Sequence, residues 1–227
     1  MKTKGIIFYC VCLVLFLQFC GGGQIIDPIF LEKTSNHKEI AILPFEMVFR
    51  GKKPKKLTEE QIRDIENHES IAFQRSLFNS LCYQYTRRWN PLSIKIQSVQ
   101  QTNRILAKHG IDIRESWSLD SQQLARLLRV DAIVRTRVEK KRYMSGLASF
   151  GIEVGNSILN ALLEETPLSI FIPNPTKRIV AECYLLNGRD GEILWESRVK
   201  DDADWSLPAN QIINDINHHI ASNFPYR

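Results

Sequence analysis

Apolar and polar positions along the chain follow two alternating periods, and the switches between them outline the elements. Glu39 to Phe49 reads as a strand with an apolar centre, interrupted by Pro44. Proline has no N–H to give a ladder, so the strand is expected to end, bulge or lie at an edge there. Thr58 with Gln61 forms a capping box, and Ile62, Ile65, Ala72, Phe73, Leu77 and Leu81 then recur at helical spacing. That predicts a long helix to about Thr86, stopped by Asn90-Pro91. Ser93 to Ser98 alternates as a strand, with Leu92, Ile94 and Ile96 on one face. A short helix over Val99 to Lys108 ends at Gly110, and Ser118 is read as the cap of a second, with Leu119, Leu124, Leu127 and Leu128 inward.

Ala132 to about Tyr143 is expected to be a strand, with Ala132, Val134, Thr136 and Val138 on a buried face and Arg135, Arg137 and Glu139 opposite. Lys177 to Leu186 and Glu192 to Lys200 flank the turn Asn187-Gly188-Arg189-Asp190-Gly191 and predict a hairpin. Ser206 and Pro208 open a last helix with Ile212, Ile213, Ile216, Ile220 and Phe224 on one face. The fold class expected is α/β: one domain over 39–227, a mixed sheet with helices on one side, in the order β-α-β-α-α-β-β-β-α. A Gly- and Pro-bearing insertion is expected at about 145–176.

The N-terminus belongs to a different regime. After Lys2 and Lys4, Ile6 to Leu17 is a run of twelve residues without a polar side chain. A membrane-spanning helix needs roughly 20 such residues and a signal-peptide core about 7–15, so residues 1–19 read as a secretion signal. The signal ends Leu17-Gln18-Phe19-Cys20-Gly21-Gly22-Gly23. This resembles a bacterial lipoprotein signal, in which the cysteine becomes the lipidated first residue. Leu17 and Gly21 match that pattern, while Phe19 stands where a small residue is usual. Residues 20–38 are then expected to be a lipid-anchored flexible linker, with a membrane as partner through Cys20. Asp27 lies too far from Cys20 to act as a retention signal next to it, which favours the outer membrane, with the protein facing the periplasm.

Composition changes this picture little. The chain is 227 residues long, 44% hydrophobic and 24% charged, ordinary values for a globular protein. The formal charge of +5 includes two signal lysines and is too mild to imply nucleic-acid binding. Of five cysteines, only Cys82 and Cys183 remain beyond Cys20, and two isolated thiols are expected rather than a disulfide.

Three segments, IAILPF (Ile40 to Phe45), LARLLRVDAIVRTRV (Leu124 to Val138) and GRDGEILW (Gly188 to Trp195), together resemble an envelope-lipoprotein group of diderm bacteria. The group includes the curli-secretion channel subunit, penicillin-binding-protein activator lipoproteins and the N-terminal domain of the Tol-system beta-propeller protein. The resemblance implies a small periplasmic α/β domain that binds proteins and carries no catalytic residues. Arg129 departs from it, standing where a glycine is usual.

Catalytic patterns are sparse. His37, His68, His109, His218 and His219 form no metal-binding spacing, and His218 and His219 point about 100° apart on a helix. Gly151 to Ser157 lacks the spacing and lysine of a phosphate loop, and no nucleophile elbow is present. No enzyme activity, cofactor or metal is expected.

Three features suit binding. Lys52, Lys53, Lys55 and Lys56 form a basic loop that is either simply solvated or meets anionic headgroups or an acidic partner. Arg135 and Arg137, with Lys140, Lys141 and Arg142, form either a docking strip or an ordinary charged strand face. Gly151 and Gly155, a small-xxx-small pair within Gly146 to Leu163, either pack against the domain or belong to a self-association or membrane-surface patch. The expected function is a non-enzymatic, lipid-anchored envelope accessory or scaffold with a protein partner. An oligomeric export-channel component and a periplasmic hydrolase stand as alternatives.

Overall fold

A computed structural model of the protein describes residues 24–50, 58–85, 93–142, 176–201 and 209–226. In chain order these form β1 (Gln24–Ile26), α1 (Phe30–Thr34), β2 (Glu39–Ile42), β3 (Glu46–Arg50), α2 (Glu59–Tyr85) and β4 (Lys95–Ile96). There follow α3 (Val99–Lys108), α4 (Ile113–Ser118), α5 (Ser121–Leu128), β5 (Ala132–Arg142), β6 (Thr176–Asn187), β7 (Ile193–Asp201) and α6 (Ala209–Ser222).

The seven strands make one mixed sheet in the order β1-β7-β6-β5-β2-β4, with β3 also paired to β5. β5, β6 and β7 run antiparallel, whereas β2 and β3 run parallel to β5 along its other edge. Pro44 has the effect its chemistry demands. Ile42 pairs with Val134 and Glu46 with Arg137, so Leu43, Pro44 and Phe45 stand opposite only Arg135 and Thr136. The missing N–H sits in a one-residue bulge between two halves of what is otherwise one strand.

Two apolar clusters lie on opposite faces of this sheet. The larger holds Ile40, Ile42, Val134, Val138, Ala181, Leu185 and Trp195 from the strands, Phe73, Leu77 and Leu81 from α2, and Ile212, Ile216 and Ile220 from α6. Phe45 and Phe73 stack at 5.4 Å between ring centroids. α2 begins at the predicted capping box, where the Thr58 N–H donates to Gln61 Oε1 at 2.9 Å and the Gln61 N–H donates to Thr58 Oγ1 at 3.2 Å. The two long helices thus cover one side of the sheet, as the strand patterns predict. The smaller cluster adds a short second cover: Leu106 of α3 and Leu124, Ala125 and Leu128 of α5 pack on Ala41, Leu43, Ile133 and Leu186 at one end of the other face.

Two boundaries differ from the sequence reading. The segment expected to be linker is structured from Gln24 on: β1 pairs antiparallel with β7, Gln24 opposite Ser197 and Ile26 opposite Trp195. α1 follows, with Phe30 buried against Tyr226 at 5.3 Å between centroids. Alternation and helical periodicity are invisible in so short a strand and helix. Further on, Ser118 closes α4 instead of capping the next helix. The cap of α5 is Asp120, whose carboxylate accepts from the Gln123 N–H at 2.9 Å, and α4 has its own cap in Asp112. The expected insertion lies outside the described residues except for Thr176, which opens β6.

Candidate binding face

The segments LARLLRVDA and GRDGEILW, far apart in sequence, meet in space at one junction. α5 ends on Arg129, whose φ of 58° and ψ of 49° put it in the left-handed region favoured by glycine. The Val130 N–H then reaches back to the Ala125 carbonyl at 3.0 Å. Asp131 follows, and its polar groups tie two other pieces of chain, Lys38–Glu39 and Gly188, to the start of β5. Its N–H donates to the Glu39 carbonyl at 2.8 Å, and its carbonyl accepts from the Gly188 N–H at 2.8 Å. Its carboxylate accepts from the Lys38 and Glu39 N–H groups at 2.7 and 3.0 Å. The junction builds the sheet: it fixes where β5 starts and therefore which residues of β5 face out.

Among the described residues, no helix covers the outer face of the sheet beyond α5, and that face is charged in register. Glu46 of β3, Arg137 of β5, Glu182 of β6 and Arg198 of β7 stand in one row across four strands. Arg137 pairs with Glu46 at 3.6 Å, and Arg198 Nε with Glu182 Oε1 at 3.3 Å. Beside this row Arg50 Nε meets Glu139 Oε1 at 2.7 Å. Directly opposed unlike charges are the favourable arrangement on a sheet face. Exposed pairs of this kind contribute little stability, so the row holds its charges in place at small energetic cost.

The expected basic strip is thereby divided. Arg137 is on the open face, 41% exposed in its side chain, but alternates with carboxylates. Arg135 is half-buried under the α4–α5 turn and donates to the Leu119 carbonyl at 2.6 Å. Burial, the largest effect on it, depresses its pKa, opposed by the negative charges of Glu46 and Asp120. Lys140 does not belong to the strip at all. It has the parity of Val134 and Val138, so its side chain enters the buried face. There Nζ donates to Glu69 Oε1 of α2 at 2.9 Å and lies 5.4 Å from the Phe73 ring centre. The buried side chain of Lys140 therefore corrects the sequence reading: lysine's long stem reaches from the sheet to Glu69 on the covering helix instead of facing water.

Lys141 and Arg142 continue β5, Lys141 opposite Arg50, the residue after which the Lys52–Lys56 stretch begins. The side chains of Lys141 and Arg142 lie outside the described residues, as do Cys20, Lys52, Lys53, Lys55, Lys56, Gly151 and Gly155. Glu46, Glu182 and Arg198 were missed in the sequence; their signal is the opposite parity of charge and apolar residue in their strands, legible once the pairing is known.

Cys82 and Cys183 are free thiols. Cys183 is buried, accepts from the Thr136 hydroxyl at 3.2 Å, and is pushed up to about 12 mainly by burial. Among the described residues no group of three His, Cys, Asp or Glu side chains is placed to hold a metal ion, and no helix is long and apolar enough to cross a membrane.

No protein-family description matches the sequence, and no curated protein matches it. Solved structures similar to it include the PelC dodecamer from Paraburkholderia phytofirmans, at TM-score 0.46 and 10% identity over 91% of this chain and 98% of that one. Lipoprotein GNA1162 from Neisseria meningitidis is similar at TM-score 0.38 and 9% identity, over 82% and 99% of the two chains. The LpoB C-terminal domain from Salmonella enterica is similar at TM-score 0.35 and 10% identity, over 78% and 94%. Matches this distant bear on neither activity nor partner.

Proposed function

We propose that this chain is a lipid-anchored, non-enzymatic protein of the cell envelope, one α/β domain that acts as an accessory or scaffold by binding another protein. The observation that carries the reading is a spacing. Only Gly21, Gly22 and Gly23 separate Cys20 from β1, and β1 is hydrogen-bonded into the sheet. An acylated Cys20 therefore holds the folded body directly at the membrane surface, facing the periplasm. The row Glu46, Arg137, Glu182 and Arg198 is the docking face. Its alternating charges suit a protein surface of complementary pattern better than a polyanion, because each arginine already has a carboxylate neighbour. Tethering raises the effective concentration of this face for a neighbouring envelope complex without adding contacts.

The test has two parts. Intact mass spectrometry of the protein purified from membranes should give a chain beginning at acylated Cys20; an unacylated chain overturns the anchor. A photo-crosslinking residue at Arg137 should capture one protein partner in intact cells that the same residue at exposed Tyr83 does not. Equal capture at both positions, or none at Arg137, overturns the docking face.

A further inference from the structure

The N-terminal segment exposes apolar side chains while being firmly held. Leu31 is 81% exposed, Ile25 66%, Ile29 48% and Ile26 45%, and Ile193, on the strand that β1 pairs with, is 51% exposed. Among the described residues, every other exposed side chain of this kind is Tyr83 on α2. Exposure here does not come from looseness. β1 is bonded along β7, and the Asp27 N–H continues the pairing to the Leu194 carbonyl at 3.0 Å. Phe30, between Ile29 and Leu31, is buried against Tyr226. Lys33 bridges Asp27 at 2.8 Å and also pairs with Glu192 beside Ile193, tying α1 to the start of β7. The fold spends an aromatic anchor, a strand pairing and a shared ion pair on a segment that leaves its remaining large apolar groups in water. Exposed apolar groups concentrated in this way mark an interaction surface.

We propose that Ile25, Ile26, Ile29, Leu31 and Ile193 are the surface by which the folded body lies against the lipid bilayer. The inference rests on acylation of Cys20. The four steps of chain from Cys20 to Gln24 span at most about 14 Å, so an anchored molecule keeps this surface within a side chain or two of the headgroups. Apolar side chains on a rigid support add an interfacial contact to the covalent lipid at Cys20. The nearby carboxylates of Asp27 and Glu192 are both paired with Lys33; the other acids beside the patch are Glu32 of α1 and Glu196, opposite Ile25 on β7. Contact along this edge also fixes the orientation of the body relative to the membrane, where a flexible tether alone would let it tumble.

The test uses the full chain, matured in cells, carrying Leu31→Cys in a Cys82→Ser background, labelled with an environment-sensitive fluorophore and reconstituted into vesicles of phosphatidylethanolamine and phosphatidylglycerol. Mass spectrometry of the same sample reads Cys20. With Cys20 acylated, the label should shift to the blue and lose most of its emission to spin-labelled lipid, whereas a label at Tyr83→Cys should do neither. An acylated chain whose Leu31 label stays in water overturns the surface while leaving the anchor intact. A label shielded from water but insensitive to spin-labelled lipid, with light scattering showing a dimer, assigns the surface to a second copy and overturns the proposal. A soluble, unacylated chain overturns both this inference and the anchor beneath it.

Discussion

The backbone N–H of Gly188 donates to the carbonyl oxygen of Asp131 at 2.8 Å, and a Cβ at Gly188 would stand 2.7 Å from that same oxygen. The Ala125 methyl group would be 2.8 Å away on another side. The β6–β7 turn therefore rests on the start of β5 at a distance only glycine permits. Gly188→Ala should destabilise the protein by about 1–3 kcal/mol, the usual cost of forcing an extra carbon into a packed site. Urea unfolding should show a lower midpoint at unchanged slope.

Two residues before Asp131, Arg129 holds the left-handed conformation that ends α5. A side chain there carries a steric penalty of about 1–2 kcal/mol, part of which glycine returns through its freer unfolded chain. Arg129→Gly should raise stability by about 0.5–1 kcal/mol, measured as an increase in Tm. A decrease would show that the arginine side chain makes compensating contacts.

Lys140 and Glu69 form an ion pair under the sheet, with 6% of the lysine side chain and 23% of the glutamate exposed. Removing one partner should be worse than removing both. Lys140→Ala strands the glutamate and should cost about 2–4 kcal/mol, while Lys140→Met with Glu69→Leu should come within about 1 kcal/mol of the original protein. A double-mutant cycle on thermal unfolding reads the coupling directly.

His37 Nδ1 lies 2.6 Å from the Tyr226 hydroxyl, close to the C-terminus of the described chain. Burial, its largest influence, holds His37 below the ordinary histidine value of 6.5, with Asp131 pulling the other way. A histidine with a depressed folded pKa binds fewer protons folded than unfolded, so its contribution is intact above about pH 6.5 and is lost as pH falls through the folded value. Tm should drop on acidification from pH 7 toward 5, and His37→Gln should flatten that drop. An unchanged slope would show that carboxylates govern this range.

The open face should separate binding from folding. Arg137→Glu replaces an exposed pair and should alter stability by no more than about 1 kcal/mol, yet it places like charges beside Glu46 and Glu182. Partner capture from the neighbouring positions should fall sharply. Retained capture with full stability would move the docking face elsewhere.

The sequence by itself determined the elements whose cause is local. The α2 capping box, the bulge at Pro44, the hairpin turn and the helical spacing of Ile212, Ile216 and Ile220 all depend on residues within one or two turns of each other. Even the burial of Lys140 was written in the parity of β5, although its positive charge argued for water; the pleat prevails because Glu69 on the covering helix α2 pairs with it. Only the tertiary structure decided what depends on neighbours distant in the chain. Which carboxylates alternate with Arg137 follows from strand register, and register is set by the junction of Asp131, Glu39 and Gly188. That Gln24 to Thr34 is part of the body and not a tether follows from β7, Glu192 and Tyr226, which lie far along the chain. A three-residue strand and a five-residue helix are too short to be stable alone, so no local pattern announces them.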